Sequence, residues 1–316
     1  MMDTIYLHHP IEANTLKKRP IVLALGYFDG VHIGHKKVIE TACRQAAKLG
    51  VEAAVMTFHP HPKEVLRKEA HPMPYLTPLP LKEKKIAELG VDTLYVVNFT
   101  KEFASLTPQQ FVDDYIISLD AVHVVAGFDF TYGSLGKGTM ETLVFHSRNK
   151  FDQTTVSKVE QGDIKISSTK IRELIEEGSV EKIPAYLGEP YYVLGKVVDG
   201  DKRGRTIGFP TANVAAIDRM KIPKTGVYAV RFQVKGNWYN GVCNIGYKPT
   251  FNQEKKEPTI EVNIFDFNQE IYGEQAVVVF ERRIRAEKKF NEINELISQI
   301  NKDKEEAIEY FAEKSC

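Results

Sequence analysis

The chain has 316 residues, and Lys+Arg and Asp+Glu both number 42, so the formal net charge is zero. That length suits two domains better than one core. The balanced charge excludes a general electrostatic pull toward nucleic acid or a membrane, so phosphate-bearing ligands must be held by local donors.

The first informative segment is an apolar run at 21–25 that reads as a buried strand, followed by Gly26-Tyr27-Phe28-Asp29-Gly30-Val31-His32-Ile33-Gly34-His35. Helical spacing over 35–49 then closes at Gly50. The glycines let the backbone turn sharply and approach a ligand. His32 and His35 bracket the start of the helix, whose unpaired N–H groups favour an anion. The spacing G-x-x-x-G-x-x-x-G fails the dinucleotide fingerprint, which disfavours a hydride-transfer domain. The segment resembles the HxGH signature of the nucleotidyltransferase superfamily, which implies a nucleotide triphosphate site and displacement of pyrophosphate.

Residues 51–58 read as a second strand, 81–89 as a helix, 91–99 as a strand and 122–126 as another. Thr107-Pro108-Gln109-Gln110 opens a helix with a capping box and proline at its first position. This alternation predicts an open parallel sheet with ligands beyond the carboxyl ends of its strands. Three stretches fall at those ends: 26–35, 57–62 (Thr57-Phe58-His59-Pro60-His61-Pro62) and 127–133, which includes Asp129. Further on, Ile166-Ser167-Ser168-Thr169-Lys170-Ile171-Arg172 begins a helix. Ser or Thr there ordinarily caps its own backbone. With Arg172 one turn after Ser168, hydroxyls, free N–H groups and a guanidinium converge in a way that suits a polyphosphate.

From about residue 191 the pattern changes to short strands and glycine turns. Strands over 191–198, 226–235, 238–245, 259–267 and 271–283 are predicted, with hairpins at Gly236-Asn237 and at Asn268-Gln269-Glu270, then helices over 287–300 and 304–314. This predicts a small antiparallel barrel, separated from the first domain between Gly178 and Gly188: domains 1–184 and 185–316. Within it, Gly204-Arg205-Thr206-Ile207-Gly208-Phe209-Pro210-Thr211-Ala212-Asn213 lacks the Walker arrangement, as does 133–139. Spacing leaves two readings open: a phosphate-wrapping loop in which Thr211 and Asn213 offer oxygens to Mg²⁺, or an ordinary turn. Glu261 alternates with Ile260, Val262 and Ile264, so it faces either a cleft, where it can act as a base, or solvent.

Cys43, Cys243 and Cys316 show neither metal-ligand spacing nor even pairing, which points to free thiols in a reducing compartment. No apolar leader is visible at the N-terminus. A soluble cytoplasmic protein is expected.

Taken together, 26–35, 57–62, 127–133, 166–172, 204–213, Gly226-Val227-Tyr228, Asn244-Ile245-Gly246-Tyr247-Lys248-Pro249-Thr250-Phe251 and 261–273 resemble, in order and over nearly the whole chain, the bacterial bifunctional riboflavin kinase/FMN adenylyltransferase (FAD synthetase) family, Gram-positive bacillus type. The resemblance implies a Rossmann-like α/β nucleotidyltransferase domain followed by a six-stranded antiparallel riboflavin kinase barrel with C-terminal helices. It implies phosphorylation of riboflavin to FMN and adenylyl transfer from ATP to FMN, with Mg²⁺ as cofactor and only small molecules as partners. It implies Glu261 as general base, Thr211 and Asn213 as metal ligands, and His32, His35 and Arg172 at the adenylyl site. ATP and phosphate contacts are implied for Gly26, Phe28, Asp29, Gly30, Gly34, Ser168, Thr169, Gly204, Arg205, Gly208, Pro210 and Tyr228. Flavin contacts are implied for Phe58, His59, Asp129, Asn244, Thr250 and Phe251. Tyr27 stands where many members carry Asn, and His59 where many carry Asp. The competing readings are a flavin-sensing regulator, a kinase with an inactive first domain, and a nucleotidyltransferase with another acceptor.

Overall fold

A computed structural model describes residues 2–11, 19–66, 72–161, 164–200, 207–247 and 258–314. The chain forms two compact units, Met1–Ser168 and Thr169–Cys316.

In the first unit the elements run β1 (Asp3–Leu7), β2 (Ile21–Leu25), α1 (Ile33–Leu49), β3 (Glu52–His59), α2 (Pro62–Leu66), α3 (Leu79–Ala87), β4 (Thr93–Asn98), α4 (Lys101–Ala104), α5 (Pro108–Val112), β5 (Ala121–Gly127), β6 (Thr131–Tyr132), β7 (Gly138–Thr139), α6 (Met140–Ser147), β8 (Asp152–Val156), β9 (Glu160–Gln161) and β10 (Ile164–Lys165). The main sheet is parallel, in the order β1-β4-β3-β2-β5-β8. Every residue of β2 is buried, as expected of a strand covered on both faces. Leu23, Leu25, Met56 and Phe58 pack on one side with Phe103, Phe111 and Tyr115. Val22, Ala24 and Val55 pack on the other with Val38, Ile39 and Ala42 of α1. The strand order reverses between β2 and β5, and crevices at such a switch point take the ligand in open α/β sheets. The loops after Leu25 and Gly127 flank it.

The predicted capping box at Thr107 is present, with Gln110 as its reciprocal partner, and α5 continues into a π-helical turn over Asp113–Ile117. Two edge strands escaped the sequence reading. Each has five residues and pairs along one side only; β8 is polar and β1 buries just Leu7, so neither shows the apolar run that marks the interior strands.

The second unit contains α7 (Ser168–Glu177, which straddles the division), α8 (Pro184–Leu187), β11 (Tyr192–Val198), β12 (Ala212–Ala216), β13 (Gly226–Val234), β14 (Asn237–Tyr247), β15 (Pro258–Ile264), β16 (Gln275–Arg285) and α9 (Ile293–Lys314). Residues 169–184 go with the barrel: the Lys224 amide donates to Ile175 O at 3.0 Å, and a side chain at Gly178 would strike Arg283. The barrel is closed in the order β11-β12-β15-β14-β13-β16, with every pairing antiparallel.

Three predicted features are corrected. The β13–β14 turn is Lys235-Gly236, one residue earlier than expected; Val234 pairs with Asn237, and both turn residues have positive φ, +50° and +80°, as a tight hairpin requires. β15 and β16 form no hairpin: β15 pairs with β12 and β14, and β16 with β11 and β13. The Asn268-Gln269-Glu270 signal belongs instead to a crossing connection. The two C-terminal helices are one helix, α9. Its charged middle is not a break, because Asp303 is buried and takes two bonds from Arg285, at 2.8 and 2.7 Å, and one from Gln299.

Candidate active sites

In the first unit the site is built where β2 ends. Phe28 and Val31 hold left-handed backbone, φ +54° and +44°, on either side of Gly30 at +90°. Positive φ is rare for a phenylalanine and an outlier for a β-branched valine, and such strain persists only where packing over-determines it. Phe28 is 2 % exposed and lies edge-on to His35, with ring centroids 5.3 Å apart. A Cβ at Gly26 would sit 2.6 Å from the Phe28 ring, so only glycine admits it there. Asp29 is equally enclosed, and its carboxylate accepts the amides of Leu76 (3.1 and 3.3 Å) and Thr77 (3.0 Å). Phe28 and Asp29 were expected to touch phosphate. The structure uses them instead to anchor the loop, one through the core and the other through the backbone of 76–77. Their side chains are thus parts of the scaffold, and a phosphate contact from either residue falls to its backbone.

His32 caps α1: its Nδ1 accepts the His35 amide at 3.2 Å. That bond leaves the ring proton on Nε2, so His32 is a donor toward whatever lies beyond the helix start. The His35 ring stacks on it at 3.5 Å, tilted by 17°. Burial pushes His32 down to about 4, more than the nearby Asp29 carboxylate can offset. Burial, with the charges of His32 and Lys82, holds His35 well below the usual histidine range. Both imidazoles are therefore neutral near pH 7. Gly34 passes close under the His32 ring. The Ser168 hydroxyl, at the end of the first unit, donates to Asp29 O at 2.9 Å across 139 residues of sequence. Thr169 is exposed and Arg172 half-buried on the following turn.

Lys82 was missed by the sequence reading. It is 3 % exposed on α3, its ammonium donates to Tyr27 O at 2.8 Å and to Thr57 Oγ1 at 3.3 Å, and it lies 4.3 Å from the Tyr27 ring centroid. A lysine among Lys82, Glu83, Lys84 and Lys85 gives no hint in sequence that one member points inward. Of the expected flavin contacts, His59 is half-buried at the end of β3 and Asp129 exposed after β5. Phe58 packs in the sheet core, 8 % exposed, against Phe99 and Phe103.

In the second unit a single register row crosses three strands. Asn213 of β12 lies opposite Glu261 of β15, which lies opposite Asn244 of β14. Residues directly opposite point to the same face. The next row, Ala212, Val262 and Cys243, is buried and fills the barrel, so Asn213, Glu261 and Asn244 all face outward. Asn263, two residues after Glu261 and on the same face, donates to Pro210 O at 2.8 Å and ties down the residue before Thr211. Gly200 lies under the Asn213 amide: a Cβ there would be 2.1 Å from Asn213 Nδ2. Asn263 and Gly200 were not singled out in sequence, since only the folded register reveals what they touch. Gly208 is exposed, at φ +89°. Gly204, Arg205, Thr250 and Phe251 lie outside the described residues.

Tyr228, expected at the nucleotide, has its side chain in the core. It is fully buried inside the barrel, edge-on to Phe280, and its hydroxyl donates to Lys224 O at 2.5 Å. Burial pushes its phenol up to about 12. Cys243 is likewise a core residue and its thiol is pushed up by burial, while Cys43 is half-buried on α1.

Two family models match the chain one after the other: FAD synthetase over residues 14–170 and riboflavin kinase over 187–311. The chain is 54 % identical over 312 residues to the Bacillus subtilis protein named bifunctional riboflavin kinase/FMN adenylyltransferase, covering 98 % of this chain and 99 % of that protein. The chain belongs to the bifunctional riboflavin kinase/FMN adenylyltransferase family. The Listeria monocytogenes member is 48 % identical over 98 % of this chain and 99 % of its own length, and an Escherichia coli member 36 % identical over 92 % of each. A solved structure from Streptococcus pneumoniae, described as a macrolide-efflux protein, superposes with a TM-score of 0.87 at 37 % identity over 96 % of this chain and 98 % of that one. Among the described residues no helix is long and apolar enough to cross a membrane. In this bifunctional family the two matched segments correspond to the two units, and the strand-end loop with Ser168 and the outward row of the barrel fall one within each.

Proposed function

We propose that the chain converts riboflavin to FMN with one ATP in its barrel, and FMN to FAD and pyrophosphate with a second ATP at its parallel sheet. The observation that carries the reading is the outward row Asn213–Glu261–Asn244. It gathers a carboxylate and two amides that the sequence scatters over 49 positions, counting from 213 to 261.

In the kinase step Glu261 accepts the proton of the attacking 5′-hydroxyl as it bonds to the γ-phosphorus, while the bond from that phosphorus to the bridging oxygen breaks and ADP leaves. Thr211 and Asn213 offer hard oxygens beside it. Two neutral oxygen donors leave further positions for ATP phosphates, the usual habit of Mg²⁺. Thr211 and Asn213 would hold that Mg²⁺, whose charge neutralises the phosphate oxygens. Asn244, alongside Glu261, orients the flavin's hydroxyl chain.

In the adenylyl step the FMN phosphate attacks the α-phosphorus of ATP and pyrophosphate leaves. His32, with its Nε2 proton and no net charge, donates to a phosphate oxygen. His35 holds that ring by stacking and through its own amide. Ser168, Thr169 and Arg172 receive the pyrophosphate end. No covalent enzyme intermediate is needed, because catalysis rests on placement and neutralisation of charge. His59 and Asp129 are assigned to the flavin side of the crevice. A cytoplasmic location, and a domain boundary in the sense of function near 184/185, belong to the same proposal.

Purified protein given riboflavin, ATP and Mg²⁺ will accumulate FMN and then FAD on a chromatogram. Appearance of FMN alone would leave a kinase with an idle first unit, and appearance of neither would refute the reading.

A further inference from the structure

Lys82 is a buried charged group whose hydrogen bonds go to the neutral Tyr27 carbonyl and Thr57 hydroxyl, behind the loop that carries His32. Such a burial is costly and is retained only where its surroundings use the charge. Here the ammonium donates to the Tyr27 carbonyl, which also accepts the Thr57 hydroxyl at 2.8 Å. Tyr27 is the last residue before the left-handed Phe28, so this double acceptance fixes the point where the strained turn begins. Lys82 thereby joins the ends of two neighbouring strands, β2 and β3, to α3.

We propose that Lys82 is a positioning residue for adenylyl transfer, its buried ammonium setting the nucleotide loop through the Tyr27 carbonyl without touching ATP. The inference rests on the adenylyltransferase reading above and extends it to a residue outside the crevice.

The groups facing Lys82 are few. From the β2–α1 loop come Tyr27 and the Asp29 carboxylate, from α1 the neutral His35 with His32 stacked behind it, and from β3 the uncharged Thr57. On α3 itself Glu83 turns outward to the Tyr6 hydroxyl. Burial brings the Lys82 ammonium down to about 8, with Asp29 opposing the fall. The charge is thus removable at mildly alkaline pH, where its hydrogen bonds to Tyr27 and Thr57 lose their ionic character. Phosphate groups with second pKa values near 6 have finished titrating by then, and ordinary tyrosines ionise only near 10.

The test uses the full chain and follows both reactions from pH 7 upward. FAD formation from added FMN in the unaltered protein should lose kcat/KM as pH rises through about 8, because kcat/KM reports groups of the free enzyme. Riboflavin phosphorylation should show no such limb. Lys82→Met, which keeps the stem and removes the charge, should lower kcat/KM for FAD formation by roughly 10²-fold, the scale of a misplaced site. It should also abolish the alkaline limb in what activity remains, while FMN formation is unchanged. Retention of full FAD synthesis by Lys82→Met, or persistence of the same limb in it, would overturn the inference. Should the variant fail to fold, a flat profile in the unaltered protein does so by itself. A protein that makes no FAD at any pH would instead refute the adenylyltransferase reading.

Discussion

Asn213 and Glu261 are directly paired residues of β12 and β15, and Gly200 packs beneath the Asn213 amide. The proposed base and the proposed oxygen ligand are therefore held by one stretch of antiparallel ladder and not by a loop. Ladder geometry fixes their separation more tightly than a turn would.

Glu261→Gln keeps shape and removes the proton acceptor. Riboflavin phosphorylation should fall by about 10²-fold or more, the usual contribution of a general base. FAD formation from supplied FMN should persist. Separate assays of the two products check this, and loss of both would contradict independent sites.

Gly200→Ala inserts a methyl where 2.1 Å separates it from Asn213 Nδ2. The amide must swing away. FMN formation should then need more Mg²⁺ for half-maximal rate, with little change in the riboflavin requirement. An unchanged magnesium titration would count against Asn213 as a ligand.

Asp29→Ala should act on stability more than on chemistry. It strands the amides of Leu76 and Thr77 without acceptors, and a buried unsatisfied group costs about 1–3 kcal/mol. Trp238 is the sole tryptophan and lies on β14, so its fluorescence reports the barrel. The loss should show in hydrogen exchange of the first unit and leave the tryptophan transition in place.

The first unit should also weaken in acid. His32 falls from 6.5 to about 4 on folding. Between those values the unfolded chain binds the extra proton, so stability drops as pH falls from 6.5 toward 4. The full loss is about 3 kcal/mol from this group, at 1.36 kcal/mol per pKa unit. Urea melts of His32→Asn, which keeps a capping acceptor, should be less sensitive across that window than those of the unaltered chain.

Much of this was legible in the sequence where local signals are strong. The β2 run, the HxGH loop, the Thr107 capping box and the change to short strands after 191 all rest on periodicity and turn chemistry acting over a few residues. What stayed hidden depends on distant partners. The inward aim of Lys82, the backbone clamp made by Asp29 and the burial of Tyr228 are set by segments far away in the chain. The false β15–β16 hairpin shows the same limit: two adjacent strands with a turn-like link were separated by barrel closure, which no local pattern encodes. The single helix α9 was split because Asp303 reads as solvent-facing until Arg285 of β16 is seen beside it.

Closure of the barrel has a further result. Its six strands leave no vacant ladder, whereas the open sheet of the first unit ends at β1 and β8. Such borders invite another chain to dock, and charge at their tips discourages it. Exposed Asp3 and Asp152 stand at the start of those two border strands. They make these aspartates sentinels against clumping, so a crowded or overheated sample should precipitate by way of its parallel sheet while the barrel stays intact.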